Sequence, residues 1–160
     1  MPIDLSSPEL RADALSRNET QEVAMTAIFD VLHYIDMKLP VDIESILSNL
    51  CDCPYEEVDP FIKEAVIKMV KHYQTAVDIF NAHMRRWTFD RLVRIERAIL
   101  LLAYVHFFYV EEDVDKRVVI NIAVKLAKKY CEPTDYKFVN AILDNILIRN
   151  EEKKPEEGED

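Results

Sequence analysis

Only one glycine, Gly158, occurs in this 160-residue sequence. Tight hairpin turns and many loops need backbone at positive φ, which glycine adopts with no steric cost. A chain without it elsewhere is poorly suited to a sheet and well suited to helices, so the fold class is all-α. The same absence excludes a P-loop and a dinucleotide-binding turn, both of which use glycine to bring backbone close to phosphate. The length suits one domain with a real core.

The segment Met1-Pro-Ile-Asp-Leu-Ser-Ser-Pro is acidic and has no apolar stretch of the secretory type. The most hydrophobic run, 98–110, would reach roughly 20 Å as a helix at ~1.5 Å per residue. A bilayer core is about 30 Å thick, so this run predicts a buried helix and no membrane partner. Cys51, Cys53 and Cys131 form an odd set that suits reduced thiols, and the expected location is cytoplasmic. The net charge of −10 is unevenly spread, with three basic residues against thirteen acids in 1–60. Residues 115–149 carry a net +3 and the tail 150–160 a net −4. A polyanion could therefore be tolerated on the C-terminal half, with no strong electrostatic capture built in.

Residues 1–15 read as a flexible or short helical extension, 16–149 as the folded domain, and 150–160 as a disordered acidic tail. Ser16-Arg-Asn-Glu19 has the capping-box pattern. Val23, Ala24, Ala27, Ile28, Val31, Leu32 and Ile35 follow at amphipathic spacing. Pro40 separates a short segment, 43–50. From Pro60 the pattern predicts one helix to about Arg86, with Phe61, Ala65, Met69, Tyr73, Ala76, Phe80 and Met84 on one stripe. Trp87-Thr-Phe-Asp-Arg-Leu interrupts it. Residues 95–110 form the central helix, apolar nearly all round. Asp115 suits an N-cap, and two final helices are split by Glu132-Pro-Thr-Asp135.

Those last helices, Val118-Val-Ile-Asn121-Ile-Ala-Val-Lys125-Leu-Ala-Lys-Lys-Tyr130 and Lys137-Phe-Val-Asn140-Ala-Ile-Leu-Asp144, each carry an asparagine that a plain core helix would not need. Arg117, Asn121, Lys125 and Lys128 share one face. A buried amide without partners costs ~1–3 kcal/mol. The pairing of Asn121 and Asn140 thus predicts a polar network shared between the two helices.

Taken in order, Arg94-Ile-Glu96-Arg-Ala-Ile-Leu, the block 114–130 and Lys137-Phe-Val-Asn-Ala-Ile-Leu-Asp144 resemble the NusB family of transcription antitermination factors. Glu22-Val-Ala-Met-Thr-Ala-Ile-Phe29 resembles the start of that family's first helix. The resemblance spans about 17–148 and is strongest over 94–144. It implies two small helical bundles packed into one domain of about seven helices. It also implies a non-enzymatic factor that binds boxA-type single-stranded RNA of ribosomal RNA leaders with NusE, a ribosomal small-subunit protein. The pair would act within the RNA polymerase antitermination complex, favouring read-through or termination. By this resemblance Arg17, Phe29, Tyr130, Lys137 and Phe138 contact RNA and Glu96 contacts NusE. A homodimer through the RNA surface is a further implied partner.

The chain departs from the family where an arginine-rich start is expected, since 16–21 reads Ser-Arg-Asn-Glu-Thr-Gln. That departure motivates an alternative, a NusB-fold protein-interaction adaptor that has lost most RNA affinity. No cofactor or metal is expected. His33, His72, His83 and His106 are scattered, and Cys51-Asp-Cys53 lacks the two further ligands of a tetrahedral site. No nucleophile elbow is present.

Overall fold

The computed structural model describes residues 16–149, so the expectations for 1–15 and 150–160 lie outside the described residues. Seven α-helices make up the fold, and no strand occurs among the described residues. They are α1 (Arg17–Asp36), α2 (Ile43–Cys51), α3 (Pro60–Lys71), α4 (Tyr73–Ala82), α5 (Arg94–Val105), α6 (Lys116–Tyr130) and α7 (Asp135–Ile146). Helices α1, α2 and α3 pack together, as do α5, α6 and α7, and α1 and α3 join the halves by packing on α5. The buried side chains form one continuous core.

The capping signals act as expected. Ser16 Oγ accepts from the Glu19 amide at 3.2 Å, and Glu19 Oε1 accepts from the Ser16 amide at 3.1 Å. Ser16→Ala should therefore cost about 1 kcal/mol, a fall in Tm of roughly 3 °C by thermal circular dichroism. No change in Tm would show that the box contributes nothing. Asp42, Asp59 and Asp115 cap α2, α3 and α6, each carboxylate accepting from one first-turn amide without the reciprocal bond of the box. The scarcity of glycine has a visible counterpart. Among the described residues only Lys38 (φ 59°) and Asp52 (φ 54°) take up left-handed backbone, just after α1 and α2. For a residue with a Cβ this costs roughly 1–2 kcal/mol.

Two helices differ from the sequence expectation. The helix predicted over 60–86 breaks at His72 (φ −108°, ψ 19°), so α3 packs on α1 and α5 while α4 turns towards α7. The His72 ring lies flat on Tyr109, 3.8 Å between centroids. The apolar stripe runs through the break without proline or glycine, so long-range packing sets it. The central helix is α-helical only to Val105, after which His106–Val110 forms a π-helical turn. The wider turn spaces four consecutive aromatic rings, His106 to Tyr109. Ten successive residues of α5, Glu96 to Val105, are buried, as an all-round apolar helix requires. No helix among the described residues is long and apolar enough to cross a membrane.

Candidate functional site

Along α1 the residues Glu22, Phe29 and Asp36 recur every seven positions, which keeps them within about 20° per step of one line. Each step advances ~10 Å along the axis. Each residue on this line meets a cation. Lys129 Nζ lies 2.8 Å from the Glu22 carboxylate, which also accepts a hydrogen bond from the Tyr130 hydroxyl. Burial, with Glu22 beside it, holds the Tyr130 phenol well above the ordinary tyrosine range. The Arg94 guanidinium sits 5.5 Å over the Phe29 ring and 3.1 Å from Asp36. Arg97 reaches Asp36 with two hydrogen bonds, at 3.1 and 2.9 Å. The Arg97 hydrogen bond, aided by Arg94, holds the Asp36 carboxyl below its usual value despite partial burial. The result is a strip in which Tyr130 and Phe29 are half-buried aromatics flanked by Lys129 and Arg94.

Arg17 lies about 18 Å along the axis from Phe29, at the N-terminal end of α1. There α1 and α6 enclose a groove of about 420 Å³, with Arg17, Gln21, Lys125 and Lys129 on its walls and Val118 and Ile122 also lining it. Lys129 belongs both to this groove and to the strip, so Arg17 and Tyr130 adjoin one surface. Gln21 is buried and its side-chain oxygen has no hydrogen-bond partner among the described residues. Lys137 is exposed on the first turn of α7, and Phe138 beside it is half-buried against the core.

The polar network predicted between Asn121 and Asn140 is not formed. Both side chains are exposed, and no hydrogen bond connects them. Asn121 instead lines the α1–α6 groove, on the same face as Lys125. The periodicity already placed it with the lysines, and that face is the solvent face.

Glu96 is the least expected site residue. It opens α5, where the helix dipole favours an ionised carboxylate. Yet only 6 % of the residue is exposed, and its carboxylate has no hydrogen bond or ion pair among the described residues. Burial, then the negative charge of Asp135, push its carboxyl up to about 7. Glu96, Asp135 and Cys131 come together where α5 begins, α6 ends and α7 begins. Desolvation outweighs the dipole here. A cation brought by a partner would be favoured at this point more than at any solvated glutamate.

Sequence reasoning missed Arg94, Arg97 and Asp36, whose contacts join residues far apart in the chain, and the Glu22 anchor of Tyr130. The seven-residue spacing on α1 was the available signal. Among the described residues no cluster of histidine, cysteine and acid could hold a metal ion. Cys51, Cys53 and Cys131 form no disulfide among the described residues, and burial pushes Cys51 up to about 11.

The NusB family model matches residues 18–147. The transcription antitermination protein NusB of Finegoldia magna is 30 % identical over 141 residues, covering 86 % of this chain and 97 % of its own. That of Bacillus subtilis is 31 % identical over 132 residues, covering 82 % and 95 %. The solved structure of NusB from T. maritima superposes with a TM-score of 0.70 at 27 % identity, covering 89 % of this chain and 96 % of that one.

Proposed function

From the premise that this chain belongs to the NusB family of transcription antitermination proteins, we propose that it binds boxA-type single-stranded RNA of ribosomal leaders together with NusE. It would do so as a non-enzymatic adaptor within the antitermination complex. The observation that supports this most is the α1 strip, where two half-buried aromatics each stand beside a cation. Unstacked bases pair well with such rings, and each stacked base is worth ~1–3 kcal/mol. Arg17, Lys125 and Lys137 supply phosphate contacts at the margins, and Phe138 flanks Lys137. Glu96 is the contact for a cationic side chain of NusE. Residues 16–149 form the binding domain; 1–15 and 150–160 are appendages to it.

Anisotropy of a labelled boxA-type RNA, with and without NusE, tests the reading. These three phosphate contacts to a single strand should by themselves contribute about −2 to the slope of log K against log salt. Phe29→Ala and Tyr130→Ala should each weaken binding about tenfold. Absence of binding in both conditions at low salt would end the RNA assignment. One observation favours the adaptor alternative: Glu22 already neutralises Lys129 and occupies the Tyr130 hydroxyl. That alternative requires NusE to bind while RNA does not.

A further inference from the structure

The turn between α4 and α5 presents the chain's single tryptophan to solvent. Trp87 is 55 % exposed, although Phe89, two residues on, is buried against Phe80 with ring centroids 5.0 Å apart. The Phe89 amide donates to Asn81 Oδ1 at 2.7 Å, which pins the turn to α4. The turn is therefore anchored from below while its largest ring faces outward. A ring of this size left in water is an unusual use of apolar area in a well-packed domain.

The charge around it is one-sided. Arg85, Arg86 and Arg91 are exposed, and none forms an ion pair among the described residues. The Arg91 guanidinium lies 5.2 Å from the Trp87 ring. Asp90, the one acid between 84 and 93, accepts a hydrogen bond from the Thr88 hydroxyl on its own turn. In a chain of net charge −10, three unpaired arginines around one exposed indole form a local anion-binding surface. Three residues beyond Arg91 in the sequence, Arg94 covers Phe29.

We propose that Trp87, with Arg85, Arg86 and Arg91, is a second subsite for single-stranded RNA, stacking one base and holding the flanking phosphates. This rests on the RNA reading above and extends it to a part of the chain where no contact is otherwise assigned. The chemistry favours RNA over an acidic protein segment. An acidic peptide would use the arginines but has no flat group for the indole face, whereas every base has one.

Because Trp87 is the only tryptophan, its emission reports this site alone. The full chain is titrated with boxA-type RNA and with oligouridylate at low salt, following label anisotropy and tryptophan emission together. Anisotropy is repeated with NusE present. RNA should quench Trp87 with the same midpoint as the anisotropy change. Trp87→Ala should weaken binding about tenfold, Trp87→Phe should retain most of it, and Arg85→Ala with Arg86→Ala should flatten the salt slope by about 1.4. Circular dichroism verifies that the exposed substitutions leave helicity unchanged. Undiminished RNA affinity in Trp87→Ala, with unaltered emission in the native chain, would overturn this subsite and leave the RNA reading standing. No anisotropy change with or without NusE would overturn both. Quenching by polyglutamate, with none by bound RNA, would overturn the proposal in favour of a protein-docking surface.

Discussion

Glu96→Lys is expected to abolish NusE binding, and Glu96→Gln to weaken it at least thirtyfold by calorimetry at pH 8. The reason is the position of the carboxylate, on a residue only 6 % exposed and without a hydrogen bond or ion pair among the described residues. An ion so placed is stabilised mainly by what docks on it, and losing one member of a desolvated charge pair costs ~2–5 kcal/mol. The lysine variant adds repulsion against the cation that the carboxylate would meet. Unchanged affinity in both variants would remove Glu96 from the interface.

The same residue makes a separate prediction about stability. Its carboxyl titrates at about 7 in the folded chain, against 4.5 as the ordinary value. Between those values the folded state keeps a proton that the unfolded state has released. Stability therefore falls as pH rises from 4.5 to 7 and is flat above. The span corresponds to about 3 kcal/mol, to order of magnitude. Glu96→Gln should erase this slope and make the free protein more stable at pH 8 while weakening the complex. A glutamate kept for packing alone would show the reverse, lost stability and intact binding. Partner affinity for the native chain should also rise between pH 6 and 8, because only the ionised form attracts a cation.

The legible part of this fold was local. Val23 to Ile35 and the caps at Ser16 and Asp115 are set by neighbours three or four residues away, and the structure has them as the spacing predicts. The break at His72 was not legible, because the stripe from Phe61 to Met84 keeps helical period across it and only packing against Tyr109 and α5 distinguishes two helices from one. The burial of Glu96 was hidden for a related reason. A charged residue in a first turn reads as solvated, and the closure of α6 and α7 over it is a tertiary event. Asn121 was misread in the opposite direction, since its alignment with Lys125 and Lys128 already marked an outward face. The aromatics of the strip could be named from a resemblance, but their cations, Arg94 and Lys129, come from contacts that sequence spacing does not encode.

Phe80→Ala should be the more damaging core change, with a loss of about 3–5 kcal/mol. Phe80 is fully buried on α4 and meets Phe89 at 5.0 Å and Tyr104 at 6.1 Å, so one ring joins α4, the 89–91 turn and α5. Truncation leaves a cavity whose walls belong to three separate elements, and such a site collapses poorly. Tm should drop by roughly 10 °C, whereas Phe80→Leu should cost under about 1.5 kcal/mol. The consequences should also be local. Without its stacking partner Phe89 no longer fixes the turn, and the Trp87 emission anisotropy should fall in the folded protein well below the melting transition. The proposed RNA contacts at Phe29 and Tyr130 stand on α1 and α6 and should persist, so this variant should lose Trp87 quenching and, like Trp87→Ala, bind RNA about tenfold more weakly rather than not at all. A Tm within 3 °C of the native chain, or unchanged Trp87 anisotropy, would show that the turn is held by the Asn81 hydrogen bond alone.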